Sequence, residues 1–302
     1  MTLAAPPIPA YRPFDAQVAR VRRLSPGFLR VTFTGPDFEE LAPNGLDQRI
    51  KLLFPTPGRG LRDCPAGDDW YAAWRALPDE LRNPLRTYTV RAARPEAREL
   101  DVDFVLHGAT GPASAWAERA AAGDEVVLVG PNAHFPGPTG GVEWRPPADA
   151  ARLLIAGDET AVPAISAIAE TLTGDRTARV LLEVPEWGDV LDLALPPGVH
   201  VTWLPRADAP RGALLTDAVV AAVRESSVAS GPAAELPEVD VDAEILWEVP
   251  LDEPVRSPGL YAWLAGEAGV VKTLRRHLVQ DCGIDRASVA FMGYWREGRP
   301  GS

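Results

Sequence analysis

Positive charge is in short supply in this chain: 30 lysines and arginines stand against 42 aspartates and glutamates, a formal net charge of −12. Nucleic acids and anionic membrane surfaces are held through a basic footprint, so the chain as a whole suits neither, and an anionic ligand requires a local basic patch. Cysteine is nearly absent. Cys64 and Cys282 lie far apart and outside any Cys-x-x-Cys spacing, which leaves a disulfide framework and an iron–sulfur cluster without support and fits a cytoplasmic address. The four histidines (His107, His134, His200 and His277) show no ligand spacing, so no protein-bound metal is expected. No segment approaches the ~20 apolar residues of a membrane span, and Met1 to Ala10 lacks the basic start and apolar run of a secretory signal. The Gly-x-Gly-x-x-Gly fingerprint, the Walker loop and the Gly-x-Ser-x-Gly elbow are all missing. The last absence removes the serine hydrolase that His107-Gly108 would otherwise suggest.

What is present suggests two domains, because 302 residues is about twice the ~150-residue soft prior for one. Runs rich in β-branched and aromatic residues at 14–24, 28–34, 49–54, 85–92, 100–107 and 125–129 predict six short strands, the first two joined at Ser25-Pro26-Gly27. That count predicts an antiparallel six-stranded β-barrel. Pro55 to Asn83 reads as an insertion over it, with a helical pattern from Trp70 to Leu81 capped by Asp68 or Asp69. Trp70 and Trp74 offer either packing or an aromatic wall. Pro131 to Ala150 is dense in proline and glycine and places the boundary near Asp149, dividing the chain into 1–148 and 149–302. Beyond it, strands at 151–156, 179–185, 200–205, 260–265 and 288–294 alternate with helices at 161–172, 213–224 and 270–280. That alternation predicts an α/β domain with a parallel sheet. Ser226 to Pro258 is acidic and proline-rich and reads as an insert.

The stretch from Pro84 to Pro131 carries the chemistry. On the strand at 85–92, Arg86 and Tyr88 share a face, so a cation and an aromatic ring can meet one ligand, while Thr89 points the other way or at the rim. Along Asp101 to His107, Val102, Phe104 and Leu106 alternate with Asp101, Asp103, Val105 and His107. Gly108 to Gly111 then turn the chain, Pro112 opens a helix predicted over 113–122, and Gly123 ends it. The amides of Ala113, Ser114 and Ala115 are thereby expected to be free at a helix N-terminus, an anion site that needs no lysine. In the second half, Gly157-Asp158-Glu159-Thr160 and Gly266-Glu267 each sit between strand and helix, and Trp295-Arg296 follows the last strand, all at strand carboxyl ends. Asp158 or Thr160 could be a helix N-cap there, and Glu267 another.

Taken together, Arg86-x-Tyr88-Thr89, Asp103-Phe-Val-Leu-His107-Gly108, Gly111-Pro112-Ala113-Ser114-x-Trp116-Ala117, Gly157-Asp158-Glu159-Thr160-Ala161-x-Pro163-Ala164-Ile165, Gly266-Glu267 and Gly293-Tyr294-Trp295-Arg296 resemble the siderophore-interacting proteins. These are flavin-dependent ferric-siderophore reductases of the wider ferredoxin-reductase superfamily, and the resemblance runs from about Phe14 to Gly298. It implies a barrel that binds FAD and an α/β domain of the NAD(P)-binding type. Arg86 would pair the flavin pyrophosphate, Tyr88 lie against the isoalloxazine and Thr89 hydrogen-bond near N5, with Asp103, Val105, His107, Gly111, Ala113 and Ser114 completing the grip. Asp158, Thr160, Ala161 and Trp295 would serve the nicotinamide side, where Glu267 could orient the carboxamide or merely cap a helix. NADH, NADPH or a ferredoxin would supply electrons, and a ferric siderophore would accept them. A general diaphorase serving a protein partner shares the same motifs, and a non-catalytic siderophore-binding protein is the colourless alternative.

The helix at 270–280 shows an apolar stripe of Val271, Leu274 and Leu278 and a basic set of Lys272, Arg275 and Arg276. Basic residues near a helix C-terminus favour the dipole and are often only solvated. The resemblance gives such a cluster the siderophore, with Lys51 contributing from the barrel.

Overall fold

A computed structural model describes residues 8–108, 111–174, 176–226, 236, 239–241, 245–250 and 259–299. It divides into two compact units, Met1–Leu24 with Phe28–Val142, and Ser25–Gly27 with Glu143–Gly301. Most of the acidic insert, and the Ala109-Thr110 part of the turn before Gly111, lie outside the described residues.

The first unit contains β1 (Tyr11–Arg23), β2 (Phe28–Thr34), β3 (Arg49–Leu53), β4 (Leu85–Thr89), β5 (Ala92–Arg94), β6 (Glu99–Val105) and β7 (Glu125–Pro131). They form one antiparallel sheet in the order β4-β3-β7-β1-β2-β6-β5. There are seven strands rather than the expected six because the 85–92 run breaks in two. Val90 N still donates to Gln48 O beside β3, whereas Arg91 N donates to Asp101 O on β6. The two ends of the sheet are thus consecutive in the chain, and one residue step carries it from one edge to the other. Inside lie Phe14, Val31, Phe33, Ile50, Leu52, Val102, Phe104 and Leu128, the alternate residues of their strands.

A second apolar cluster of Leu53, Leu85, Val127 and Val129, the outward-facing alternates, is covered by Trp70 of α1 (Trp70–Ala76). The helical pattern stops at Ala76 instead of Leu81, since Pro78 forces Leu77 into an extended conformation. Asp69 is the N-cap by position but makes no side-chain cap bond. The stretch from Pro131 onward is fastened by Tyr11 Oη donating to Gly140 O and Arg49 N to Gly141 O. Gly141 has φ +74°, and a Cβ there would stand 2.0 Å from Tyr11 Oη, so only glycine fits.

The second unit contains β8 (Arg152–Gly157), α3 (Val162–Ala169), β9 (Thr177–Val184), β10 (Val199–Pro205), α4 (Ala213–Glu225), β11 (Trp247–Glu248), β12 (Leu260–Glu267), α5 (Ala268–Arg276) and β13 (Val289–Trp295). Their order is β10-β9-β8-β12-β13-β11, parallel except for β11. β11 has two residues, too few for a periodic signal, and was not foreseen within the insert. Every residue of β12 is buried, as a central parallel strand requires. Leu154, Ala156, Leu181, Leu264 and Phe291 pack with Leu215, Val219, Val271, Leu274 and Leu278 of the helices. The chain runs outward from β8 through β9 to β10 and then resumes at β12 on the other side of β8. The strand order therefore reverses between β8 and β12, and in open sheets the ligand crevice lies outside the carboxyl ends there. Among the described residues no helix is long and apolar enough to cross a membrane.

Candidate functional sites

In the first unit, Arg86 is opposite Leu52 and Tyr88 opposite Ile50 on β3, so both share the face of the barrel core. Tyr88 is half-buried, with its ring 4.5 Å from Phe104 and 6.2 Å from Phe54. Burial pushes its phenol well above the ordinary range, with Arg86 pulling weakly the other way. Arg86 donates to Leu85 O at 2.8 Å and has no carboxylate within ion-pair distance among the described residues. An arginine beside a half-buried aromatic ring, with no acidic partner, is a ready anion site. Thr89 is buried and opposite Arg49, on the other face, as alternation required.

Asp103 is engaged otherwise. Its two carboxylate oxygens accept from Arg30 at 2.6 and 2.8 Å, and Arg91 stands 3.8 Å away, so its charge is met inside the ladder. Val105 is the last residue of β6, and His107 lies beyond it, exposed at its surface and within 3.3 Å of Ser114 Oγ through Nε2. The loop thus brings His107 and Ser114 together, although they are seven residues apart. α2 (Pro112–Ala117) is shorter than the predicted 113–122 helix, and Gly111 is its N-cap. Ala115 N donates to Gly111 O at 2.9 Å, which removes one of the three amides expected to be free. Those of Ala113 and Ser114 remain as helix-end donors. Trp116 is buried, at 5.2 Å from Phe54 and 5.8 Å from Phe104, and fixes this turn on the aromatic cluster beneath Tyr88.

Lys51 is opposite Thr87, not Arg86, and its Nζ donates to Thr87 Oγ1 at 3.1 Å. It therefore stands on the opposite face of the ladder from Arg86 and Tyr88. Burial, with Arg49 adding to it, lowers its pKa.

In the second unit, Asp158 is the hub. It is 3% exposed and accepts four hydrogen bonds: from Thr160 N at 2.9 Å and Thr160 Oγ1 at 2.5 Å on Oδ1, and from Glu267 N at 2.8 Å and Trp295 Nε1 at 2.9 Å on Oδ2. One carboxylate ties together the ends of β8, β12 and β13. Burial and the neighbouring Glu159 raise its carboxyl, the donors on Thr160 and Trp295 offset part of that, and the outcome is a value of about 6. Gly266, at φ +150°, lets this happen: a Cβ would come within 2.7 Å of Asp158 Oδ2.

Glu159 is buried and takes both arms of Arg206, at 2.8 and 2.9 Å, together with Arg211. Burial alone would raise its pKa, and the two guanidiniums more than offset that. Arg211 also lies over the Trp295 ring at 4.7 Å.

The helix ends facing this crevice are capped from within. Glu183, fully buried, accepts from Gly212 N and Leu215 N at the start of α4. Glu267 is the N-cap of α5, accepting from Val270 N at 2.9 Å and from Arg296 at 2.8 Å. Of the two roles open for Glu267, its side chain occupies the capping one. Neither Asp158 nor Thr160 is the N-cap of α3; Ala161, fully buried, holds that position, and Asp158 shapes the preceding turn instead. Sequence reasoning missed Glu183, Arg206 and Arg211. Their only local signal was charge inside or just after an apolar strand, where an unpaired charge would be too costly to keep.

Arg275 departs from the expected basic cluster. It is 4% exposed and bound through Nε and a terminal nitrogen to Glu248 of β11, at 3.0 and 2.7 Å, where Arg286 also binds. Residues 271, 274, 275 and 278 form the buried side of the helix, and Glu248, which lies in the insert, supplies the counter-charge. Lys272 is half-buried and Arg276 exposed, four residues apart on the remaining face.

Comparison with known proteins assigns both units. Residues 17–135 match the model of the siderophore-interacting FAD-binding domain, and residues 150–298 that of the siderophore-interacting protein. The chain is 31% identical over 280 residues to the ferric vibriobactin reductase ViuB of Vibrio cholerae, covering 93% of this chain and 88% of that protein. It is 33% identical to an uncharacterized protein of Mycobacterium tuberculosis, over 96% of this chain and 93% of the other. Among solved structures, a siderophore utilization protein from T. fusca aligns with TM-score 0.72 and 28% identity over 97% of this chain and 96% of that one. The siderophore-interacting protein SipS from Aeromonas hydrophila aligns at 0.67 and 31%, over 97% and 94%. The ferredoxin reductase of carbazole 1,9a-dioxygenase, at 17% identity and TM-score 0.59 over 96% of this chain and 71% of the other, shares the fold.

Proposed function

The chain belongs to the siderophore-interacting protein family, and from that premise we propose that it is an FAD-dependent reductase of ferric siderophores acting in the cytoplasm. The observation that carries the reading is Arg86, a guanidinium with no acidic partner among the described residues, next to half-buried Tyr88, on a chain with the family's FAD-binding domain. Arg86 and the amides of Ala113 and Ser114 are suited to the negative charge of a pyrophosphate, and Tyr88 to the flavin ring, whereas the Thr89 side chain faces the other way. FAD, when bound, supplies the conversion of a two-electron hydride into single-electron transfers. The protein's residues bind and orient; no side-chain acid or base is needed at the iron. Lys272 and Arg276 offer an anionic ferric chelate a local positive field against the net charge of −12. Hard oxygen donors hold iron(II) less tightly than iron(III), so reduction releases the metal.

The donor is NADH or NADPH on this reading. A reduced ferredoxin is the second reading, favoured by the internal capping of α4 and α5, which fills helix-end positions where a dinucleotide's phosphates would otherwise be met.

The test is spectroscopic. The purified protein should be yellow and release FAD on heating, and the anaerobically reduced protein should be reoxidised by a ferric siderophore with a ferrous chelator reporting the iron. NADH, NADPH and reduced ferredoxin are compared as donors. Protein that takes up no flavin after reconstitution with excess FAD, or that passes electrons only to a protein acceptor, overturns the assignment.

A further inference from the structure

The helix that carries Lys272 and Arg276 changes its winding where they end. α5 continues as a π-helical turn, His277–Asp281, and the amide of Cys282 donates to His277 O at 3.0 Å. Residues five apart in an α-helix point roughly 140° away from each other. The i→i+5 winding turns them to the same side. One imidazole consequently meets both Asp281 and Cys282: Cys282 Sγ is 3.3 Å from His277 Nε2, and Asp281 Oδ2 is 3.0 Å from His277 Nδ1. A carboxylate at Nδ1 selects the tautomer with its proton there, which leaves Nε2 as acceptor for the thiol.

Burial, with Asp281 adding to it, pushes the Cys282 thiol up. The sulfur is therefore a neutral thiol with a proton acceptor in place, the relation of a nucleophile to its general base. Asp281 holds the base, which makes the arrangement complete within six residues. A metal does not fit, because the two ring nitrogens face different partners. Among the described residues no group of three side chains could hold one.

We propose that Cys282 is a base-assisted nucleophilic thiol and a site of oxidation by hydrogen peroxide. The sulfur attacks one peroxide oxygen, and the S–O bond forms as the O–O bond breaks. The thiol proton passes to His277 Nε2 and from there to the departing hydroxide, giving a sulfenic acid and water, so that sulfur loses the two electrons that peroxide gains. Cys282 is half-buried rather than sealed in the core.

Cys64 is the control in the same chain. It too is a half-buried free cysteine, burial pushes its thiol up to about 11, and no histidine hydrogen-bonds to it among the described residues. The protein is treated with limiting peroxide in the presence of a 1,3-dione that captures sulfenic acids, and the rate at each cysteine is read by peptide mass spectrometry. Cys282 is expected to react roughly tenfold or more faster than Cys64, and His277→Gln and Asp281→Asn to slow it several-fold, general-base assistance being worth at least that much. The Cys64 rate stays constant in both variants. Asp281 is 61% exposed, so its replacement leaves the fold intact even if that of His277 does not. Equal rates at the two cysteines of the unaltered protein, or an unchanged Cys282 rate in Asp281→Asn, overturn the proposal.

Discussion

At the scale of single residues, the two sites differ in how much of their charge is already spent. Arg86 keeps its guanidinium for a ligand, so Arg86→Ala should weaken flavin binding roughly tenfold or more, the ~1.5–3 kcal/mol of a charge-assisted contact. Flavin fluorescence titration measures it, and an unchanged melting temperature separates it from misfolding. Tyr88 serves both packing and ligand, since its ring sits on Phe104. Tyr88→Phe should keep the stability of the barrel, whereas Tyr88→Ala should lose both stability and flavin. Asp158 and Gly266 have the opposite character, with nothing left to offer a ligand. Gly266→Ala forces a methyl group onto the Asp158 carboxylate in a backbone conformation other residues avoid, which should destabilise by ~1–3 kcal/mol in urea unfolding.

At the scale of elements, α5 presents two kinds of arginine one residue apart. Arg275 is directed inward to Glu248 and holds the two-residue strand β11 against the helix. Arg275→Gln should cost about 2 kcal/mol, less than the full penalty for a broken buried pair because Arg286 still neutralises Glu248. The double variant Lys272→Gln, Arg276→Gln should leave the melting temperature unchanged. If the proposed activity holds, it should raise KM for an anionic ferric siderophore several-fold without slowing flavin reduction. The kcat/KM of the unaltered protein should then fall with added salt, because exposed charges are screened over ~10 Å at 0.1 M.

Across the whole molecule, acidic residues outnumber basic ones, yet several of the buried acids are met by arginines. Glu159 and Glu267 would have raised pKa values from burial alone, and arginines lower both below the usual carboxylate range, with backbone donors assisting at Glu267. In the first unit, hydrogen bonds from Arg20 and then Arg94 hold Glu99 down at about 2. A depressed folded-state pKa contributes stability that is complete above the unfolded value of ~4.3 and is lost as pH falls through the folded one. The contribution of these depressed groups to the urea midpoint should therefore be constant above about pH 5 and fall steeply from about 4.5 towards 2. Asp158 has the opposite sign, because its carboxyl is raised to about 6 and ionising it opposes folding as pH rises through that value. Asp158→Asn removes this term but turns one oxygen acceptor into a donor facing an N–H group, so it should destabilise the second unit at pH 7.

What the sequence determined by itself is what depends on local patterning. Strand alternation placed Arg86 and Tyr88 on one face and Phe104 in the core, and apolar runs alternating with helices marked the parallel sheet. The ordered motifs identified the family. Tertiary structure decided everything that depends on who stands opposite whom. Lys51 falls on the far face of the β3–β4 ladder because register pairs it with Thr87. Arg275 is buried because Glu248, 27 residues away, reaches it. Asp158 binds Trp295 across 137 positions in the chain. Periodicity reports which way a side chain faces, whereas the charge that will meet it there is fixed only when distant strands are brought side by side.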